Sequence, residues 1–121
     1  MPYAVKLVDD PEYVLLEYNY RVTRDEHETG RAEAIRALTD KGWNKLLVDA
    51  RKIDPEMSVG DDFRFTKDHR SAHPLLVRIA VLHRPDELER FRFIENVAVN
   101  RALDLKIFTE SAEAINWLNL K

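Results

Sequence analysis

The sequence predicts an α/β domain with a five-stranded mixed, mostly parallel sheet covered by four helices, in the order ββαβαβαβα. Three observations predict it. Compact apolar runs recur at Leu46 to Val48, Ile79 to Leu82 and Leu105 to Phe108, the signature of short strands buried on both faces. Each run is followed by a stretch of helical periodicity, and such alternation calls for parallel strands joined by right-handed crossovers. Ahead of them lie two strand-like segments separated by a turn, so the first strand is an antiparallel edge or neighbour.

Taken in order, Tyr3 to Val8 reads as a strand and Tyr13 to Tyr20 as another, with Val14, Leu16, Tyr18 and Tyr20 on one face. Asp9, Asp10 and Pro11 form the turn between them. Thr23 and Glu26 have the spacing of a capping box. The first helix therefore runs from about Arg24 to Asp40, with Ala34, Ile35 and Leu38 as its apolar stripe and Gly42 as a left-handed stop. A second helix is expected from Val59 to about Ala72, closed by Pro74, and a third from Asp86 to about Arg101, opened by Pro85. On the third, Leu88, Phe91, Ile94 and Ala98 form the inward face, leaving Phe93 and Val97 on another flank. Ser111 is read as the cap of the last helix, which carries Ala112, Ala114, Ile115 and Leu118.

With 121 residues, 45% hydrophobic and 34% charged, the chain fits one domain over 1–121. The absence of cysteine excludes a disulfide scaffold, a thiol nucleophile and a Cys-ligated metal. A net charge of -3 provides no global attraction for nucleic acid or anionic lipid, so no nucleic-acid partner and at most peripheral membrane contact are expected. Nothing reads as a transmembrane span or signal peptide, and the default expectation is a cytoplasmic protein.

Several segments taken together carry a family pattern: Leu46-Leu47-Val48-Asp49-Ala50-Arg51, Ile79-Ala80-Val81-Leu82, Phe93-Ile94-Glu95-Asn96-Val97-Ala98-Val99-Asn100-Arg101, Lys106-Ile107-Phe108-Thr109 and Ala114-Ile115-Asn116-Trp117-Leu118. Along nearly its whole length the chain resembles the small SpoIIAA-like, or STAS-like, bacterial domains. The preferred reading is a non-enzymatic regulatory or protein-interaction module of this class. In the anti-sigma-factor antagonists of this kind a phosphorylated serine sits in an Asp-Ser-Ser-Gly segment at the start of the second helix. The matching segment here is Met57-Ser58-Val59-Gly60, which keeps Ser58 and Gly60 but lacks the acidic residue and the second serine. Ser58 is accordingly read as a helix cap that is not phosphorylated. Relatives also tend to carry Gly where this chain has Ala102. A likeness of the fold to SEC14-like proteins implies the alternative of a carrier for a small apolar or lipid-like ligand.

Parallel α/β sheets gather ligands at the carboxyl ends of their strands. That rim is loaded with cations, Arg21 and Arg24 after the second strand, Arg51 and Lys52 after the third, His83 and Arg84 after the fourth. Together with His27 and Arg31, four apart on the first helix, and with Ser58, they make the candidate site for a small anionic group; solvated loop cations are the competing reading. Asp49, closing a strand, is either a catalytic carboxylate or a cap for neighbouring backbone N–H groups. Ser58 with His27 or His83 and Asp49 holds the residue types of a hydrolytic triad, but no Gly-x-Ser-x-Gly elbow surrounds Ser58, so a small hydrolase ranks third and no catalytic residue is assigned. His69 and His73 have the spacing of two metal ligands on a helix, yet Pro74 follows directly and no Glu accompanies them, so no metal or other cofactor is expected. Phe65, Phe93 and Val97 stand off the core stripes, which suggests a homodimer face, a surface for a protein partner or the wall of an apolar pocket.

Overall fold

The computed structural model describes residues 3–9, 12–19, 24–52, 78–100 and 104–119, with the backbone alone at 24, 25, 27, 28 and 97–100. The helix expected from Val59, and with it Ser58, Phe65, His69 and His73, lies outside these residues, as do Tyr20 and Thr23. Five strands form one sheet in the order β1-β2-β3-β4-β5: β1 (Tyr3–Asp9), β2 (Glu12–Tyr18), β3 (Lys45–Asp49), β4 (Arg78–Leu82) and β5 (Asp104–Phe108). β1 pairs antiparallel with β2, in register Tyr3 with Tyr18 and Asp9 with Glu12, and all later pairs are parallel. The described helices are α1 (Arg24–Lys41), α2 (Leu88–Asn100), which follows a 3-10 turn at Pro85–Glu87, and α3 (Ser111–Leu118).

Strand order that advances one place at every step has a physical consequence. Right-handed crossovers repeated in one direction put their helices on the same side of the sheet. Ala34 and Leu38 of α1 and Phe91 and Ile94 of α2 accordingly pack into one core with Val14, Leu16, Leu46, Val48, Ile79 and Val81. α3, which follows β5, covers the other face, where Ala114 and Leu118 meet Leu47, Ala80 and Leu82.

α1 is held by two glycines. At Gly42, φ is +69°, and Gly42 N–H donates to Thr39 O (3.2 Å) while Trp43 N–H donates to Leu38 O (2.9 Å), a Schellman ending. At Gly30, a Cβ would stand 3.2 Å from Cγ of Tyr3, so the bare helix backbone is what lets the Tyr3 ring lie against α1.

The far end of α3 is anchored by cations rising from the amino ends of the strands. Arg78 donates from Nη1 to Trp117 O (3.0 Å) and from Nε to Asp104 Oδ2 (3.2 Å), with its guanidinium 5.1 Å from the Trp117 ring centroid. Lys45 Nζ donates to Asn119 Oδ1 at 3.1 Å. Both cations face the negative end of the helix dipole. Arg78→Ala should therefore lower stability by about 1–2 kcal/mol, read as a drop in the urea midpoint, with Arg78→Lys recovering only part because it cannot donate to both partners in the planar fork geometry.

Four expectations are corrected. Among the described residues β5 is an edge strand, and Asp104 and Lys106 are exposed, so it is not buried on both faces. Its outer edge is instead guarded by Glu95, whose Oε2 accepts the Ile107 N–H at 2.9 Å. Ser111 is the first helical residue of α3 and Glu110 occupies the cap position without a side-chain cap bond, its charge lying close enough to Arg51 to act on it. Leu88, expected inward, is 41% exposed, because the 3-10 turn delays the α-helix to Leu88 itself and the inward stripe begins at Phe91. The third helix itself accordingly starts two residues later than Asp86.

Candidate functional site

The carboxyl ends of β2, β3 and β4 bring the sequence-predicted residues to one rim, but the sheet divides them. Asp49 falls in register with Glu17 and Leu82, which places it on the α3 face. Continuing the alternation of Ile79 and Val81, His83 falls on the opposite face, beneath α2.

On the α3 side, Asp49 is only 6% exposed and is clasped by the residue two positions on. Arg51 donates from Nε to Oδ1 (3.0 Å), from Nη2 to Oδ2 (2.8 Å) and from its backbone N–H to Oδ1 (3.1 Å). Burial pushes the Asp49 carboxyl up. The Arg51 bonds and the charges of Arg51 and Lys52 outweigh it and hold the group below the usual carboxylate range. The bidentate bond in turn pushes the Arg51 guanidinium up against its own desolvation, helped by Asp49, Glu110 and Glu17. A carboxylate in this state is a poor base and a poor proton donor; it caps the turn that ends β3.

On the α2 side, His83 is 1% exposed, its ring stacked on Phe91 with centroids 5.0 Å apart and 9° between planes. Its Nδ1 lies 2.7 Å from Arg84 O, so the Nδ1–H tautomer donates there. Arg84 turns back to the 3-10 turn, with Nη2 donating to Glu87 Oε1 (3.0 Å) and Nε 3.5 Å from Asp86 Oδ1. Arg90 Nη1 stands 3.9 Å from the other oxygen of Glu87.

The third cluster is at the ends of β1 and β2. Tyr3 Oη donates to Glu33 Oε1 (2.8 Å), and that bond, then burial and the charges of Glu33 and Glu26, push its phenol up. Burial pushes the Tyr18 phenol well above its ordinary range, with the neighbouring Arg31 charge pulling the other way. His27 is on α1 one turn before Arg31, its side chain outside the described set.

The rim thus assembles Arg51, His83 and Arg84 at adjacent strand ends, and each already has an intramolecular partner. An incoming anion would compete with Asp49 for Arg51 and with Asp86 and Glu87 for Arg84. Among the described residues no group of three or more His, Asp or Glu is placed to hold a metal ion, and no helix is long and apolar enough to cross a membrane.

Beyond the rim, the outward side of α2 carries Leu88, Glu89, Arg92, Phe93 and Asn96, all exposed, with Leu88 and Phe93 at 41% each. Phe93 is where the helical wheel puts it. Leu88, the first residue of α2, was not legible as exposed, because its spacing to Phe91 puts it beside the inward stripe. Val97 lies one turn beyond Phe93, with its side chain outside the described set.

With the fold and rim in place, comparison with known proteins decides the family. The SpoIIAA-like family model matches residues 13–119. The chain belongs to the SpoIIAA-like family. Among solved structures it is similar to the protein TM1081, determined by NMR, with 23% identity, a TM-score of 0.54, and 97% of this chain and 88% of that one covered. An uncharacterized protein of the DUF3478 family from Shewanella loihica PV-4, with a SpoIIAA-like fold, is 18% identical with a TM-score of 0.60 over 96% of this chain and 91% of its own. An anti-sigma factor antagonist from Mycobacterium paratuberculosis is 13% identical with a TM-score of 0.62 over 98% and 93%. At these identities the likeness is one of fold. Among curated proteins none matches the chain.

Proposed function

We propose that this SpoIIAA-like chain is a non-enzymatic, regulatory protein-interaction module that works through the outward flank of α2. The observation that carries the reading is the contrast between the rim and that flank. At the rim, the buried carboxylate Asp49 is committed to a bidentate Arg51 and His83 is packed under Phe91, so among the described residues these two groups suited to proton transfer are spent on the fold. On α2, by contrast, Phe93 and Leu88 leave apolar surface in water. The fold shared with an anti-sigma factor antagonist supports the same reading. Ser58 stands in the position of the family's phosphorylated serine without its flanking acid and second serine, and belongs to this proposal as an unmodified helix cap.

Affinity capture from the native host, followed by reconstitution of the purified pair, tests the reading with wild-type chain and with Phe93→Asp. The expected result is one identified protein that re-forms a stoichiometric complex with the wild type and fails to do so with the folded variant. A complex indifferent to Phe93→Asp would remove α2 from the proposal. A native mass spectrum in which the purified chain carries an apolar small molecule would replace the module by a carrier.

A further inference from the structure

We infer that the outward face of α2 is self-complementary and pairs with the same face of a second copy of this chain in antiparallel orientation. This rests on the reading of α2 as the interaction surface and goes further by naming an occupant. On a helix of 3.6 residues per turn, Glu89, Arg92 and Asn96 form the centre of one exposed stripe, with Leu88 on one flank and Phe93 on the other. A two-fold axis perpendicular to the helix, level with the midpoint between Arg90 and Phe91, relates residue i to residue 181 minus i. It sets Glu89 opposite Arg92 of the second copy, and Arg92 opposite its Glu89. Antiparallel packing keeps each flank on its own side, so the two Phe93 rings approach each other along one border and the two Leu88 side chains along the other.

The charge pattern is what selects a second copy as the occupant. Glu89 and Arg92 form no ion pair with any other described residue, unlike Arg51, Arg78 and Arg84, so their charges are available across an interface. A parallel arrangement in register would put Glu89 against Glu89 and Arg92 against Arg92; only the antiparallel one matches opposite charge with opposite charge twice. One helix face buries less than a standard interface, so the association is weak, with half-dimerisation on the order of 100 µM, and its two rim ion pairs make it weaken with salt.

Sedimentation velocity on the full chain across that concentration range tests the pairing by charge exchange. Glu89→Arg alone and Arg92→Glu alone each turn both cross-pairs into like-charge contacts and should weaken association by roughly tenfold or more. The double variant Glu89→Arg/Arg92→Glu restores two opposite-charge pairs and should dimerise like the wild type. All these positions are exposed, so circular dichroism should report an unchanged fold. A wild type that stays monomeric at millimolar concentration, or single variants that dimerise as well as the wild type, would overturn the pairing. Neither outcome touches the Phe93-dependent capture of a different protein, so the pairing and the module reading fail separately.

Discussion

Replacing Asp49 by Ala should cost about 2–3 kcal/mol at neutral pH, because it removes three hydrogen bonds, two of them from a guanidinium, at a buried strand end. The cost stays below that of a fully buried pair since Arg51, left behind, is 43% exposed at its side chain and can hydrate. The pH dependence follows from the direction of the shift. Asp49 has a lower pKa folded than unfolded, so its contribution is complete above the ordinary carboxylate range and fades as pH falls through the folded value. The gap between wild type and variant in urea unfolding, followed through Trp43 and Trp117 fluorescence, should therefore be widest near about pH 7 and shrink toward about pH 3. A variant within about 0.5 kcal/mol of wild type at neutral pH would show that the clasp does not hold the end of β3.

Phe91→Ala should be more costly still, about 3–5 kcal/mol. Phe91 is the largest apolar side chain by which α2 enters the core, and its ring is also the lid on His83. Phe91→Leu keeps the helix docked and should cost less than about 1.5 kcal/mol, but it lacks a flat ring to stack. The two substitutions separate packing from coverage. Modification of His83 by an imidazole-directed reagent should be fast in Phe91→Ala, intermediate in Phe91→Leu and slow in wild type. Equal rates in all three would mean that the ring is shielded by something other than Phe91.

The fold was legible because its signals are local and repeated. Leu46 to Val48 and Ile79 to Leu82 have no polar interruption, and both are strands with buried faces on each side of the sheet. Gly42 marked the end of α1 because only glycine enters the left-handed region without cost, and its φ of +69° is the reason. The inward stripe Ala34, Ile35, Leu38 followed from spacing alone and is buried.

What escaped was set by long-range geometry. Lys106 in the last apolar run was a hint that β5 has a wet face, but that it is the edge, guarded by Glu95, depends on the order of strands in space. The Asp49–Arg51 clasp was half visible: a carboxylate closing a buried strand read as a cap for nearby N–H groups, and Arg51 N–H does donate to it. That the same arginine also closes a bidentate bond depends on the turn at Arg51 and Lys52, which no spacing rule encodes. The rim cations looked convergent in sequence because each follows a strand. In space the alternation of side chains sends Asp49, with Arg51 clasped to it, to the α3 face and His83 to the α2 face, and Arg84 folds back on its own turn.

The central claim, that the chain keeps its rim for the fold and meets other molecules through the outward flank of α2, is tested most directly by amide NMR of the wild type on dilution from millimolar to low micromolar concentration. Concentration-dependent shifts should cluster at Leu88, Glu89, Arg92, Phe93 and Asn96 and leave Asp49, Arg51 and His83 unmoved. Shifts centred on Arg51, His83 and Arg84, with α2 silent, would contradict the account and return the rim to the role of binding surface.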